Sequence, residues 1–319
     1  MRKVVMLIFC ILSCISYVNA QEYNEYLSIA RRHLTNGDIE KAQKAYSTYC
    51  LLSDSRDLSF EKELEKLSAK DMAGRDFVET AAGLNMKMVW VEGGEFLMGG
   101  TSEQGLEAEN DEQVIRRVKL SSYYIGECEI TQSQWEKVMG TSVQQQWSKA
   151  SCDTGLQGTG PDYPMYYVSW EEAQAFCQEL SRMTGRTYCL PTEAQWEYAA
   201  RGGKNNDGTK YSGSWSIDAV AWYGGNSGSG THPVKNKRAN SLGLYDMSGN
   251  VWEWCADWYG SSYNVNDTNN PTGPSSGSSR VFRGGSWVYS ARYCRVSLRR
   301  HFSPGGRYYD GGFRVVVLP

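Results

Sequence analysis

Short apolar runs broken by glycines dominate the chain from Met86 onward. Met88-Val89-Trp90-Val91 and Glu95-Phe96-Leu97-Met98 read as strands interrupted at Gly93-Gly94, and Val118–Ile125 reads as another. Three helices are then announced by capping boxes, in which a hydroxyl caps the first turn and the residue three positions on caps back. Ser133 with Glu136 opens a helix ending at Gly140. Ser169 with Glu172 opens one whose Ala173, Phe176, Cys177 and Leu180 share a face, stopping near Gly185. Thr192 with Gln195 opens the third, which ends at Gly202-Gly203. Beyond Gly203 the pattern is mostly turns and short strands.

The first part of the chain has a different texture. Helices are expected over Tyr23–Leu34 and Ile39–Leu51, split at Asn36-Gly37-Asp38, with a third over Ser59–Lys70. Gly37-Asp38 followed by Ala42, Ala45 and Tyr46 resembles half of a tetratricopeptide repeat, yet one hairpin cannot bury its own apolar faces. Residues 21–70 therefore read either as such a hairpin or as a helical prefix, with 71–84 a linker and 85–319 the main domain. Residues 1–20 read as a secretory signal peptide: Arg2 and Lys3, the apolar run Val4–Ile15, then Val18-Asn19-Ala20. That run falls short of the ~20 residues of a transmembrane span. An exported protein is expected, periplasmic, cell-surface or secreted; Ile11-Leu12-Ser13-Cys14 leaves a lipoprotein open.

Composition narrows the chemistry. A formal net charge of -3 gives a nucleic-acid role no electrostatic support. The 3 histidines, His33, His232 and His301, are too dispersed for an H-x-x-x-H metal site. Of 9 cysteines, Cys10 and Cys14 lie in the leader; Cys50, Cys128, Cys152, Cys177, Cys189, Cys255 and Cys294 remain, an odd set without a C-x-x-C pair. Export permits disulfides, but no connectivity follows from the sequence. Glycine (33), Trp (11) and Tyr (21) against Phe (8) and Pro (8) fit a loop-rich fold with many half-wet rings.

Several blocks then carry a resemblance. They are Val168–Ala173, Leu190-Pro191-Thr192-Glu193-Ala194-Gln195-Trp196-Glu197-Tyr198, Gly243-Leu244-Tyr245-Asp246-Met247-Ser248-Gly249-Asn250-Val251-Trp252-Glu253-Trp254, Arg283-Gly284-Gly285-Ser286-Trp287 and Gly312-Phe313-Arg314. In this order they resemble the formylglycine-generating enzyme (sulfatase-modifying factor) family. The resemblance implies an α+β, C-type-lectin-like fold with little regular secondary structure. Asp246 and Glu253 offer hard oxygen ligands of the kind calcium takes, while Gly249-Asn250 can turn carbonyls inward. The family implies a calcium ion held by the Asp246 and Glu253 side chains and the Gly249 and Val251 carbonyls. The alternative is a strand burying Trp252 and Trp254, with Glu253 solvated.

The family's oxidases convert a sulfatase cysteine to formylglycine with copper on two thiolates four residues apart, a soft donor pair suited to copper(I). Here the segment after Ser286 carries only Cys294, so the pair is absent, and Cys294 does not fall where either copper ligand sits. Arg292 and Arg295 would activate this thiol if they faced it; otherwise it is an inert buried or bonded cysteine. Tyr289, Arg292, Tyr293, His301, Phe302, Tyr308 and Tyr309 are the candidate ligand-binding residues, Tyr and Arg being the types that dominate binding hot spots. The alternative makes the arginines framework partners of buried carboxylates. The segment also resembles the variable region of diversity-generating retroelement proteins, since residues 288–314 lack Lys, Glu, Gln, Met and Trp. The expected function is calcium-stabilised, non-catalytic binding of a protein or glycan; alternatives are a formylglycine-generating oxidase and a diversified ligand-binding protein.

Overall fold

The computed structural model describes residues 23–36, 38–53, 56–63, 74–150 and 154–318. The signal-peptide reading, Cys152 and the far end of the expected third helix lie outside them. The chain divides into two units, Met1–Ala73 and Gly74–Pro319.

In the first unit α1 spans 23–35, α2 Ile39–Ser53 and α3 58–63. Ala30, Leu34, Ala42, Tyr46, Tyr49 and Phe60 form its core. Asp57 caps α3, its Oδ1 accepting from Ser59 and Phe60 N–H. The Tyr46 hydroxyl donates to Glu61 at 2.9 Å, tying α2 to α3.

In the second unit an antiparallel sheet runs β1 (Phe77–Glu79), β2 (Met86–Val91), β5 (Tyr123–Gly126), β11 (Val316–Val317), β6 (Tyr188–Cys189). Residues 74–84 thus contribute a strand to this sheet, where the sequence suggested a linker. A ribbon pairs β3 (Gly94–Met98) with β4 (Arg116–Leu120). Val118–Ile125, expected as one strand, is broken at Ser121-Ser122 because β4 pairs with β3 and β5 with β2. Gly93 permits the parallel break: a Cβ there would lie 2.5 Å from the Leu120 carbonyl oxygen.

Capping places the helices. In α4 (Gln132–Met139) the box is Thr131 with Gln134, not Ser133 with Glu136, so the helix starts earlier than expected; Gly140 closes it at φ 67°. The short α5 (Val143–Lys149) has its own Ser142–Gln145 box but no apolar repeat, and sequence pattern missed it. Helix α6 (Trp170–Thr184) carries the expected Ser169–Glu172 box and buries Ala173, Phe176, Cys177 and Leu180. Helix α7 (Glu193–Ala200) opens on Thr192 with Gln195 and ends at Arg201, just before the expected glycines. A one-turn α8 (Ile217–Val220) follows. The last sheet runs β10 (Gly311–Gly312), β7 (Trp252–Trp258), β8 (Arg280–Arg283), β9 (Arg300–Phe302), with β10 and β7 parallel. Val89, Ile125, Trp196, Tyr198, Cys255, Val281 and Val316 share the core beneath it. Cys50, Cys128, Cys177, Cys189, Cys255 and Cys294 are free thiols, so among the described residues no disulfide forms.

Candidate functional site

The two faces of the last sheet differ in chemistry. Side chains alternate along each strand, so Glu253, Cys255, Val281 and Arg283 turn to the core while Trp252, Trp254, Phe282 and Phe302 share the other face. Trp254 and Phe302 both meet Phe282 edge-on, at 3.8 and 5.3 Å between centroids. Tyr308 closes on Phe302 at 4.6 Å. Tyr289 meets Trp252 at 5.6 Å and Tyr293 at 5.1 Å, and Tyr309 meets Trp287 at 5.8 Å. Tyr289, Tyr293, Phe302, Tyr308 and Tyr309 are all half-buried. Beneath them Asp310, almost fully buried, accepts from the Ser286 hydroxyl at 2.7 Å, and burial pushes its carboxyl up to about 6.

The loops over this face are anchored at both ends. Gly285 sits at φ +77°, and a Cβ there would come within 2.7 Å of Cys294 Sγ. Trp170 N–H donates to the Pro304 carbonyl and Tyr167 N–H to that of Tyr308. Arg307 grips Glu172 of α6 with bonds of 3.1 and 2.9 Å. Arg292 and Arg300 both bind Glu109, and their guanidinium carbons lie 5.3 and 4.9 Å from the Tyr293 ring.

Two candidates are placed otherwise than expected. Cys294 is fully buried, and burial pushes its thiol up to about 12. Arg292 turns to Glu109 and Arg295 to Glu112, so both guanidinium groups are engaged by carboxylates rather than by the buried Cys294 thiol. His301 alternates away from Arg300 and Phe302 on β9 and stacks on Tyr259 at 3.9 Å. It does not join the tyrosine group.

Sequence reasoning offered framework arginines as an alternative but did not find their partners. Arg295 forms a bidentate pair with Glu112 at 2.8 and 2.7 Å, and Arg299 one with Glu193 at 2.7 and 2.8 Å. Arg283 binds Glu197, which also takes Arg201, which in turn binds Glu103. Apart from Arg201–Glu197, which are four residues apart on one helix, these pairs join residues 86 to 183 positions apart, which is why sequence spacing could not reveal them. The available signal was the run of arginines between residues 292 and 300 in a segment that also packs.

The family model for the sulfatase-modifying factor enzyme 1-like domain matches residues 74–318. The chain belongs to that family. Among sequence relatives, the chaperone protein LppX of Paenibacillus barcinonensis is 32% identical, over 72% of this chain and 88% of the relative. The formylglycine-generating enzyme of Streptomyces coelicolor is 30% identical, over 71% of this chain and 87% of the enzyme. Among solved structures, Treponema denticola variable protein 1 matches with a TM-score of 0.66 and 33% identity, covering 76% of this chain and 99% of that one. PvdO from Pseudomonas aeruginosa matches with a TM-score of 0.65 and 26% identity, covering 77% and 99%. The expected C-type-lectin-like α+β fold is thereby established.

The sulfatase-modifying factor family implies calcium at Asp246–Glu253, and what this structure offers such an ion is one unpartnered buried oxygen of Asp246. Asp246 is buried at φ 56°; its Oδ2 accepts Lys235 N–H at 2.7 Å, while Oδ1 is buried with no hydrogen-bond partner. Glu253 is fully buried, in contrast to the solvated alternative. Its Oε2 accepts from Trp196 Nε1 and Arg314 Nε, its Oε1 from Arg314 Nη2. A carboxylate has about four lone-pair sites, so Oε1 retains one. Glu129, also buried, accepts from Asn250 and the Val251 N–H, and burial together with Asp246 and Glu253 raises its pKa well above the ordinary value. With Arg314 as the cation paired to Glu253, crowding and burial favour the protonated forms of Glu129 and Asp246 in the absence of a metal; a hard cation would favour their ionised forms. Among the described residues no group of three or more His, Cys, Asp or Glu side chains is arranged to hold a metal. The Gly249 and Val251 carbonyls would complete the set.

Proposed function

We propose that the domain is a non-catalytic binding module of the sulfatase-modifying factor family, stabilised by calcium. It would take a protein or glycan partner on the surface formed by Tyr289, Tyr293, Phe302, Tyr308 and Tyr309. The observation that carries this reading is Cys294. Where an oxidase of this family needs two copper-binding thiolates, the segment has one thiol, fully buried and pushed up to about 12. The tyrosines above it offer wide contact area at low entropy cost. The similarity to the Treponema denticola variable protein supports a binding role. Residues 1–20 support export, and among the described residues no helix is long and apolar enough to cross a membrane.

The test is partner capture by the wild-type chain and by a Tyr289→Ala/Tyr309→Ala variant with unchanged melting temperature. Loss of capture in the variant supports the reading, and undiminished capture contradicts it. Two further readings rest on specific observations. Relatives named formylglycine-generating enzyme favour an oxidase. The absence of Lys, Glu, Gln, Met and Trp from residues 288–314 favours a diversified ligand-binding protein; a template copy and a reverse transcriptase beside the gene would be its signature.

A further inference from the structure

On the face of β9 opposite the tyrosines, five side chains form one continuous stack. The exposed His301 ring lies on Tyr259 at 3.9 Å and 23°. Below Tyr259 comes the Arg299 guanidinium at 4.9 Å, then Tyr263, 4.1 Å from that guanidinium, then the Arg116 guanidinium at 4.6 Å. Each layer is fixed from the side. Arg299 is held by Glu193 and by the Gly260 and Asp111 carbonyls. The Tyr259 hydroxyl donates to Asp111 Oδ2 at 2.8 Å, and Arg116 donates to the Asn264 and Asp267 carbonyls at 3.0 Å. The outer end of the stack, His301, Tyr259 and Arg299, lines a recess of about 700 Å³ together with Glu109, Asn110, Asp111, Ser261 and Arg300. A rigid column that ends in an open aromatic face is a preformed platform, with little ordering cost left for a ligand.

The charges around it select the ligand class. Glu109 is bound by Arg292 and Arg300, and Arg299 by Glu193, so an added cation would meet guanidinium groups and an added anion would meet Asp111 and Glu109. Partial burial and the nearby Arg299 and Arg300 charges lower the His301 pKa below its ordinary value despite Asp111, favouring the neutral ring. A neutral ligand is favoured, one with a flat apolar face for His301 and hydroxyls for Asp111, Asn110 and Ser261. We infer that this recess is a second binding site, separate from the tyrosine surface, that takes a neutral saccharide stacked on His301.

The chain has 3 histidines, so the His301 ring protons can be followed by NMR against His33 and His232. Maltotriose, cellotriose, mannotriose, xylotriose and chitotriose are titrated to about 10 mM, where even millimolar affinity registers. At least one should shift the His301 resonances and leave the other two histidines in place. His301→Ala should weaken binding of that sugar about tenfold, and Asp111→Asn should weaken it while preserving the bond from Tyr259. Tyr289→Ala should leave it unchanged. No shift with any of the five sugars overturns the inference, as does full affinity in His301→Ala. A shift produced by tri-arginine but by none of the sugars also overturns it. Loss of sugar binding in Tyr289→Ala would move the sugar to the tyrosine surface; the second site then falls while the binding-module reading stands.

Discussion

Replacing Glu112 by Ala tests the framework beneath the tyrosine surface. Glu112 and Arg295 are both 0% exposed. The guanidinium spans the carboxylate with bonds of 2.8 and 2.7 Å, and its Nε donates to the Arg292 carbonyl at 2.9 Å. Ser297 Oγ also donates to Glu112, while Gln104 at 3.4 Å adds little to Arg295. Truncating Glu112 leaves a buried guanidinium without its main acceptor, which costs about 3–5 kcal/mol. At roughly 2–4 °C per kcal/mol for a domain of this size, the melting temperature should fall by about 6–20 °C. Urea unfolding gives the free energy. The double change Glu112→Met/Arg295→Met should recover most of the loss, because no unpaired charge remains. The pH dependence has a definite sign. Burial alone would raise the Glu112 carboxyl, but the hydrogen bonds and charge of Arg295 outweigh it and hold it below its ordinary value. The pair therefore contributes fully above about pH 4.3, the unfolded value, and its contribution is lost as pH falls through the lower folded value. A loss below about 1 kcal/mol in Glu112→Ala would refute the reasoning, since it would make the pair no more than a surface contact.

Three further outcomes are expected. Chelating calcium should lower the melting temperature by about 5–10 °C relative to calcium at a hundredfold excess over Kd, and Asp246→Asn should abolish that difference; equal melting with and without calcium contradicts the site. Cys294, with its thiol pushed up to about 12, should resist a thiol reagent at pH 8 in the folded protein and react only on unfolding; peptide mapping that finds it labelled in the native state refutes its burial. Asp310, raised by burial to about 6 against roughly 3.9 when unfolded, lowers stability as pH rises from about 4 to 6. Asp310→Asn should thus stabilise the protein at pH 7 by up to about 2–3 kcal/mol and flatten that slope; unchanged urea midpoints at pH 4 and pH 7 would count against it.

What the sequence reveals here depends on range. Ser169 with Glu172 and Thr192 with Gln195 mark their helices because a capping box is complete within four residues. At α4 two overlapping boxes compete, and Thr131 prevails over Ser133 because its extended backbone (φ -84°, ψ 160°) lets the hydroxyl accept the Gln134 N–H. Helix α5 buries only Val143 and Gln146, so it leaves no apolar repeat to read. Ser121-Ser122 contains neither glycine nor proline, and the break between β4 and β5 is imposed by their different partner strands. Within the candidate site, the tyrosines were legible as a group. Which arginine meets which carboxylate was not, since Arg295 and Glu112 are 183 residues apart. His301 was grouped with the tyrosines by proximity in the chain, and strand alternation sends it to the other face.

The proposed non-catalytic role is most exposed at Cys294, the one cysteine in the segment after Ser286. The direct test incubates the purified chain with copper and a sulfatase-motif peptide and searches for the aldehyde product by mass spectrometry. None is expected, because Cys294 is buried, its thiol is pushed up to about 12, and the segment holds no second thiol. Aldehyde that forms with the wild-type chain and disappears with Cys294→Ala would contradict it.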